Sequence, residues 1–161
     1  NLTAQQAERV AGLHLKDQEN TVSYSPRQTP TSGNTIFGGT HGLFSTAEDY
    51  MKFATMLLQE GEYDGQRLLS RKTIELMTIN HAEDRREEGD GFGLGFGIRT
   101  SMAAADGLAS EGTFYWSGAY NTYFFIDPAE DLIGILLLQF APYTDYYNRK
   151  FRQLVYQAIV D

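Results

Sequence analysis

The sequence predicts an α+β fold in which helices flank an antiparallel sheet of about four strands. Three observations predict it. The first half of the chain carries helix-capping patterns and apolar residues at helical spacing. The second half carries apolar segments separated by turn residues, and the last segment returns to a helical period. We therefore expect one unit, with helices and loops over 1–90 and an antiparallel meander plus an amphipathic C-terminal helix over 91–161.

The N-terminal segment predicts a short helix followed by a long loop. Thr3 and Gln6 have the spacing of a capping box, and Gly12 is the expected end of this helix. Residues 17–40 are rich in Ser, Thr, Asn and Gly and show no period. We expect a long loop there, and long ordered loops are often functional.

The strongest helical pattern is the segment STAEDYMKFATMLLQEG, residues 45–61. Ser45 and Glu48 have capping-box spacing, and Gly61 is expected to end the helix. Its residues at helical spacing form one apolar stripe. That stripe comprises Tyr50, Phe53, Ala54, Leu57 and Leu58.

A turn and a second short helix lead into the strands. The Asp-Gly pair in YDGQRLL predicts a turn, and Ser70 is expected to cap a helix that runs through Met77. The segment HAEDRREEGD predicts a charged surface loop. The period then changes to two in GFGLGFGI, residues 91–98, which predicts a strand with one bulky and one bare face. Bare glycines allow another backbone or a ligand to approach closely.

Three further strands and a helix complete the meander. The strands are TFYWSGAY, TYFFID and LIGILLLQF, with a turn over 127–130 between the last two. The segment YYNRKFRQLVYQAIV predicts the terminal amphipathic helix. Its expected apolar side comprises Phe151, Leu154, Val155, Ala158 and Ile159.

The segment LIGILLLQF is apolar on both faces, so both faces should be covered. The terminal helix can cover one face. We expect a partner over 131–140, either an N-terminal region outside this sequence or a second, swapped copy, because an uncovered apolar edge invites aggregation. The alternative is that the two N-terminal helices supply the covering.

Composition excludes several classes of protein. The formal net charge of −8 argues against a nucleic-acid surface, and solubility is the simplest reason for the acidity. Without cysteine there is neither a disulfide framework nor a thiolate zinc site. No apolar run is long enough to predict a membrane span. The chain begins NLTAQQAERV, without an initiator Met or a signal-peptide pattern, so we expect it to begin within a longer protein.

Ser117 is a poor candidate for a nucleophile on sequence grounds. A nucleophile elbow has the pattern Gly-x-Ser-x-Gly between a strand and a helix, whereas Tyr115 and Ala119 occupy the flanking positions here. No spacing selects a base among the chain's histidines, which are His14, His41 and His81. HAED lacks the spacing of a metal site, and GFGLGFG is not a dinucleotide fingerprint. We expect no metal and no cofactor.

The remaining candidate is the strand that carries Trp116, Ser117 and Gly118. Glycine at a strand end lets a substrate lie close, and the next backbone N–H can point at an oxyanion. The serine hydroxyl can donate to a substrate or relay a proton. The alternative is a strand-end tryptophan packed in the core.

Three blocks of the sequence together resemble the serine beta-lactamase-like hydrolases. They are GGTHGLFSTAEDYMKFATMLLQEGEYDGQRLLSRKTIELMTINH, GFGLGFGI and YWSGAYNTYFFIDPAEDLIGILLLQ. This superfamily includes class C beta-lactamases, penicillin-binding DD-peptidases and esterases, and the likeness is closest to the esterase-like branch. The resemblance implies a partial fold of this type, in which the chain is the C-terminal part of a hydrolase that forms an acyl-enzyme.

The resemblance also implies roles for the Trp-Ser-Gly strand. Trp116-Ser117-Gly118 stands where the family has Lys-Thr-Gly or a variant, and Ala119 would supply one oxyanion N–H. We expect Ser117 to take part in catalysis. The substrate-binding residues implied are Trp116, Gly118, Tyr120 and Asn121.

Two departures from the family pattern matter. No lysine follows a serine at Ser-x-x-Lys spacing, so the nucleophile and base are expected upstream, and the chain alone is expected to be inactive. The family also has a Tyr-x-Asn or Tyr-x-Ser motif, whose tyrosine assists proton transfer. Tyr115-x-Ser117 and Tyr146-x-Asn148 match it, but the first lies within the Trp-Ser-Gly segment and the second at the terminal helix, so we treat both as chance. Trp116 cannot offer the charge of the family's lysine to a carboxylate, which favours small uncharged esters, or amides, over penicillins. The alternative functions are a non-catalytic binding or interaction module, and a DD-peptidase or beta-lactamase rather than an esterase as the parent protein.

Overall fold

The structure, a computed structural model, describes residues 1–25, 30–36, 38, 42–82, 89–101 and 107–160. In chain order its elements are α1 (Ala4–Glu8), β1 (Leu13–Lys16), β2 (Val22–Ser25), α2 (Ala47–Leu58), β3 (Glu62–Tyr63), β4 (Gln66–Arg67), α3 (Arg71–Thr78), β5 (Asp90–Phe92), β6 (Gly97–Arg99), β7 (Phe114–Ser117), β8 (Tyr123–Asp127), β9 (Leu132–Leu136), β10 (Phe140–Ala141) and α4 (Tyr146–Gln157).

The main sheet is an antiparallel meander in the order β5-β6-β7-β8-β9. Every neighbouring pair is antiparallel, and β8 lies inside the sheet with all of its residues buried. The predicted α+β class is therefore confirmed. The sheet has five strands rather than about four, because one predicted strand is in fact two.

That extra strand comes from GFGLGFGI, which forms a hairpin and not a single alternating strand. β5 ends at Phe92 and β6 begins at Gly97. Between them the Gly93 N–H donates to the Phe96 carbonyl at 2.8 Å, and Gly95 has a φ of 97°. Glycine adopts such a positive φ without strain, so the same residues that suggested a bare strand face reverse the chain.

Helices cover both faces of the main sheet. On one face α2 and α3 pack on a cluster built around Leu57, Ile74, Phe114 and Ile126. On the other face α4 packs on a second cluster, which comprises Ala109, Tyr123, Phe125 and Tyr156. Successive residues of a strand point to opposite faces, so β7 and β8 contribute side chains to both clusters.

The two faces of β9 are both covered from within the chain. Ile133 and Ile135 pack against the cluster under α2, while Leu132 and Leu136 pack against the cluster under α4. The expectation that one face lacks covering material was wrong, and the N-terminal helix α2 supplies it. The outer edge of β9 is not covered in this way, because among the described residues β9 pairs with β8 alone.

A second, smaller sheet joins the two ends of the chain in the order β10-β1-β2. β1 is parallel to β10 and antiparallel to β2. The helix-and-loop prediction for 1–90 missed these strands, because β1 gains its partner from the far end of the sequence and carries no local period. Helix α1 accordingly ends at Glu8, before the predicted end at Gly12.

The N-caps of α1 and α3, each a hydroxyl side chain just before the helix, were predicted correctly. The Thr3–Gln6 capping box is present, Ser70 accepts from the Thr73 N–H, and Gly61 follows α2 with a φ of 96°. The cap of α2 was placed one residue early. Thr46, not Ser45, accepts from the Asp49 N–H.

The buried side of α4 is more polar than predicted. Leu154 is 63% exposed and Ile159 is 40% exposed, although both were assigned to the apolar side. The helix instead buries Asn148, Arg152 and Tyr156. Burial of these polar side chains is compensated by hydrogen bonds. Their partners are the Tyr143 hydroxyl, the Tyr123 hydroxyl and the Asp127 carboxylate, in that order. None of the helices in the described residues is both long and apolar enough to cross a lipid bilayer.

Candidate active site

The turn between β7 and β8 carries the predicted Trp-Ser-Gly site. Ser117 ends β7, and the Gly118 N–H that follows it donates to the Thr122 carbonyl at 2.8 Å. The Asn121 N–H donates to the Gly118 carbonyl at 3.0 Å, which closes a tight turn. The two exposed corners of this turn are Ala119 and Tyr120.

Two residues of the turn are required by its backbone. A Cβ at Gly118 would lie 2.2 Å from Thr122 Oγ1, so a side chain there forces the threonine to move. Asn121 has a φ of 63°, in the left-handed region that asparagine tolerates better than most residues. The sequence Gly-Ala-Tyr-Asn therefore suits a tight reversal at the end of β7.

Asn121, predicted to bind substrate, is fully buried and holds the neighbouring segment in place. Its Nδ2 donates to the Phe140 carbonyl at 2.8 Å and to the Pro142 carbonyl at 3.2 Å. Its Oδ1 accepts from the Thr144 N–H at 2.9 Å. One side chain thus fastens β10 and the chain leading to α4 against the β7–β8 turn.

Ala119 lies at the exposed corner with its backbone N–H available. None of the described residues accepts a hydrogen bond from that N–H. It follows a glycine at a strand end, so no side chain at position 118 shields it. This is the geometry that an oxyanion donor needs, namely a fixed backbone N–H open to an acceptor from outside.

Trp116 is partly packed and partly open. Its ring meets Phe92 edge to face with centroids 5.1 Å apart, and the residue keeps 39% of its surface exposed. The structure therefore supports neither a wholly buried tryptophan nor one standing free in solvent. An aromatic side chain held by a neighbour and open on one side can serve as the wall of an apolar pocket.

Ser117 takes part in a short chain of hydrogen bonds that the sequence did not reveal. Its Oγ lies 3.2 Å from the hydroxyl of Tyr143. The Asn148 amide nitrogen, from α4, donates to the same Tyr143 hydroxyl at 3.2 Å. Ser117 is half-buried, Tyr143 is 48% exposed and Asn148 is buried, so this chain runs from the core toward the surface.

Tyr115, one residue before Trp116, points to the opposite face and is occupied there. Its hydroxyl donates to Asp90 at 2.9 Å, and Asp90 also pairs with the buried Arg99 at 2.8 Å. Burial, together with the neighbouring Asp90 carboxylate, raises the pKa of Tyr115 to about 12. Tyr120, 40% exposed, is thus the more open of the two tyrosines that flank the motif.

The histidines lie elsewhere in the described part of the chain. His14 packs edge-on against Tyr24, and His81 Nε2 lies 2.7 Å from the Leu76 carbonyl. His41 falls outside the described residues. Among the residues that are described, no three His, Asp or Glu side chains come together as metal ligands.

Comparison with known proteins now identifies the family. The model of the Beta-lactamase family matches residues 1–158. This chain belongs to the beta-lactamase family. Two Mycobacterium tuberculosis proteins, Protein Rv1367c and Uncharacterized protein MT1414, are each 34% identical over 158 residues. The alignment covers 88% of this chain but 39% of each relative, so the chain spans well under half of their length.

Solved structures of beta-lactamase-like proteins share the fold. The LovD6 mutant of Simvastatin Synthase from Aspergillus terreus superposes with a TM-score of 0.79 at 22% identity, over 96% of this chain and 43% of that one. EstCE1, described as a hydrolase with promiscuous acyltransferase activity, gives a TM-score of 0.71 at 20% identity, over 93% of this chain and 44% of that one. At these identities the likeness establishes the fold alone.

Two residues that contact the candidate site escaped prediction from sequence. Tyr143 and Asn148 reach Ser117 only because β10 and α4 fold back onto the β7–β8 turn. Their separation from Ser117 along the chain follows no helix or strand period. The one available signal was the Tyr146-x-Asn148 match, in which Asn148 was set aside and the relevant tyrosine lies three residues earlier.

Proposed function

We propose that this chain forms one wall of the active site of a serine hydrolase or acyltransferase of the beta-lactamase family. The observation that carries the proposal is the β7–β8 turn, where an exposed Ala119 N–H follows the half-open Trp116 and the Ser117 hydroxyl. The family match over residues 1–158 supports assigning this turn to the position of the family's Lys-Thr-Gly motif.

The chemistry assigned to this wall is stabilisation of negative charge. When a nucleophile adds to an ester carbonyl, its oxygen gains charge, and a fixed N–H at hydrogen-bond distance lowers the energy of that state. Ala119 is the proposed donor. The attacking serine and its lysine lie outside these 161 residues, since no Ser-x-x-Lys occurs in them.

The proposed substrates are small, uncharged esters. Trp116 replaces the cation that would hold a substrate carboxylate, and with Tyr120 it presents aromatic surface suited to an apolar acyl group. In the complete protein, kcat/KM for short p-nitrophenyl esters should exceed that for a chromogenic cephalosporin. Trp116→Lys should narrow this difference, and Trp116→Phe is the matched control. Faster turnover of the cephalosporin by the unaltered protein would refute the ester preference.

The oxyanion role can be tested at one atom. Ala119→Pro replaces the N–H with the ring carbon Cδ, and position 119 is the second residue of the turn, where proline is well accepted. We expect kcat of the complete protein to fall about 100-fold or more, because losing one oxyanion donor has that effect in other enzymes. Ala119→Gly keeps the N–H and should stay within a few-fold of the unaltered protein. Equal activity of the two variants would rule Ala119 out.

The isolated 161-residue chain provides a second check. Without the nucleophile it should show no burst of p-nitrophenol, whereas the complete protein should show one. A burst from the isolated chain would place the nucleophile within it and overturn the proposal.

A non-catalytic binding module is the second candidate, and the two closed hydrophobic clusters favour it. Both faces of β9 are covered from within the chain, as a self-contained domain requires. The outer edge of β9, which pairs with no other strand among the described residues, favours the first candidate, with an N-terminal region or a second copy beside residues 131–140. Light scattering separates them. The binding module should be a monodisperse monomer, and the chain with a missing partner should dimerise or aggregate.

A further inference from the structure

We infer that Tyr143, oriented by Asn148, is a positioning residue that holds the Ser117 hydroxyl as a hydrogen-bond donor toward an acceptor oxygen of the bound ester. The inference rests on the proposed function and adds two residues to it. It comes from the chain of contacts Asn148–Tyr143–Ser117, whose two links are each 3.2 Å long.

One direction of this chain of hydrogen bonds, with Tyr143 donating to Ser117, gives each described hydroxyl contact a donor and an acceptor. The Asn148 Nδ2 group can only donate, so the Tyr143 oxygen accepts from it. Tyr143 keeps its single proton, and Ser117 Oγ is its other hydrogen-bond partner among the described residues; either oxygen of this pair can donate, and we assign the donor role to Tyr143. When Tyr143 donates to Ser117, the serine's own proton is left for another acceptor. None of the other described residues accepts it.

This chain of hydrogen bonds begins at the buried Asn148 and ends at the half-buried Ser117. Asn148 is 6% exposed, and its Oδ1 has no partner among the described residues, so the amide is committed through Nδ2 alone. Leaving a buried carbonyl oxygen unpaired costs free energy. The bond from Nδ2 to the Tyr143 hydroxyl is therefore the described hydrogen bond that holds this side chain.

The buried Asn121 side chain fixes the backbone on both sides of Tyr143 and so holds Tyr143 beside Ser117. The Asn121 amide grips the Phe140 and Pro142 carbonyls and the Thr144 N–H, on either side of Tyr143. The tyrosine is therefore anchored to the same turn that presents Ala119. Ser117 and Ala119 lie two residues apart on that turn, so both can face one ligand.

The kinetic test compares two matched tyrosines in the complete protein. Tyr143→Phe removes the hydroxyl and should lower kcat/KM for p-nitrophenyl butyrate about 3- to 10-fold, the effect of one neutral hydrogen bond. Tyr146→Phe is the control, because Tyr146 is similarly exposed at 55% and its hydroxyl bonds to no described residue. Ser117→Ala should cost at least as much as Tyr143→Phe, and the double variant no more than Ser117→Ala. Additive losses, or equal effects of the two tyrosine variants, would overturn the inference.

Nuclear magnetic resonance of labelled tyrosine tests the same contacts without requiring catalytic turnover. In protein labelled with ζ-carbon-13 tyrosine, the Tyr143 resonance should shift in Ser117→Ala and in Asn148→Leu, and the Tyr146 resonance should not. An unmoved Tyr143 resonance overturns the inference whatever the activity. If the resonance moves but the complete protein forms no acyl-enzyme, the proposed function fails while the orientation of Ser117 by Tyr143 stands.

Discussion

Two tyrosine hydroxyls tie the C-terminal part of the chain to the β7–β8 hairpin, one at each end of it. At the end away from the turn, Tyr156 of α4 donates to Asp127 at 2.6 Å. At the turn end, Tyr143 lies 3.2 Å from Ser117. The first pair is buried, and the second reaches the surface.

The two ends differ in how completely their hydrogen bonds are used. Asp127 is fully buried and also accepts from the Ser110 and Ala129 N–H groups at 3.0 and 3.1 Å. At the turn end, the Ala119 N–H has no described acceptor, and the Ser117 hydroxyl contacts only the half-exposed Tyr143 hydroxyl among the described residues. A closed network stabilises the fold, and an open one is available to a ligand. Substitutions at the two ends should therefore separate stability from activity.

The largest effect is expected on removing the carboxylate at the closed end. Asp127→Ala leaves the Tyr156 hydroxyl and the Ser110 N–H without their acceptor in a buried place. The free energy of unfolding should fall by about 3 kcal/mol, since bonds to a charged group and unpaired buried donors both contribute. Urea denaturation measures it. Glu130→Ala, an exposed carboxylate in the same turn, is the control and should change stability by less than about 0.5 kcal/mol.

A smaller effect should distinguish the two tyrosines directly. Tyr156→Phe removes one charge-assisted bond and should cost about 1.5 to 2 kcal/mol of unfolding free energy. Tyr143→Phe should cost less than about 0.5 kcal/mol, because its hydroxyl is partly solvated. Thermal or urea unfolding of both variants checks this. Equal losses would mean that the turn-end network is as structural as the other.

The mildest perturbation is protonation, which leaves every heavy atom in place. Burial alone would raise the pKa of Asp127, but the bonds from Tyr156 and Ser110 outweigh it and hold that pKa below its ordinary 3.8. The native state therefore binds this proton less readily than the unfolded state. The stabilisation is present above pH 3.8 and is lost as the pH falls through the lower native value.

A difference measurement isolates this acid effect from the other carboxyl groups. The unfolding free energy of the unaltered protein minus that of Asp127→Asn should be constant near neutral pH and shrink as the pH falls below 3.8. Tyr143→Phe should not alter the shape of the curve. A difference that stayed constant into strong acid would show that the Asp127 pKa is not lowered.

The sequence predicted the parts of the molecule that local patterns determine. Ser70 caps α3 and Thr3 caps α1, because a hydroxyl before a helix reaches its free N–H groups whatever the rest of the chain does. The apolar segments after residue 110 became β7, β8 and β9, since short apolar runs bounded by turn residues are typical of strands buried in a sheet. The Trp-Ser-Gly segment was predicted to lie in a strand over TFYWSGAY, but that strand ends at Ser117 and the chain reverses over 118–121. The family was identified by its resemblance.

Tertiary structure decided what depends on distant partners. β1 became a strand through β10, the glycines of GFGLGFGI became a hairpin, and α4 buried Asn148 and Arg152 where apolar residues were expected. Tyr143 reached Ser117 only through the grip of Asn121 on the chain around it. Hydrogen bonds between segments far apart in sequence have no period to read. Only the folded chain could therefore show which end of the β7–β8 hairpin is closed and which is open.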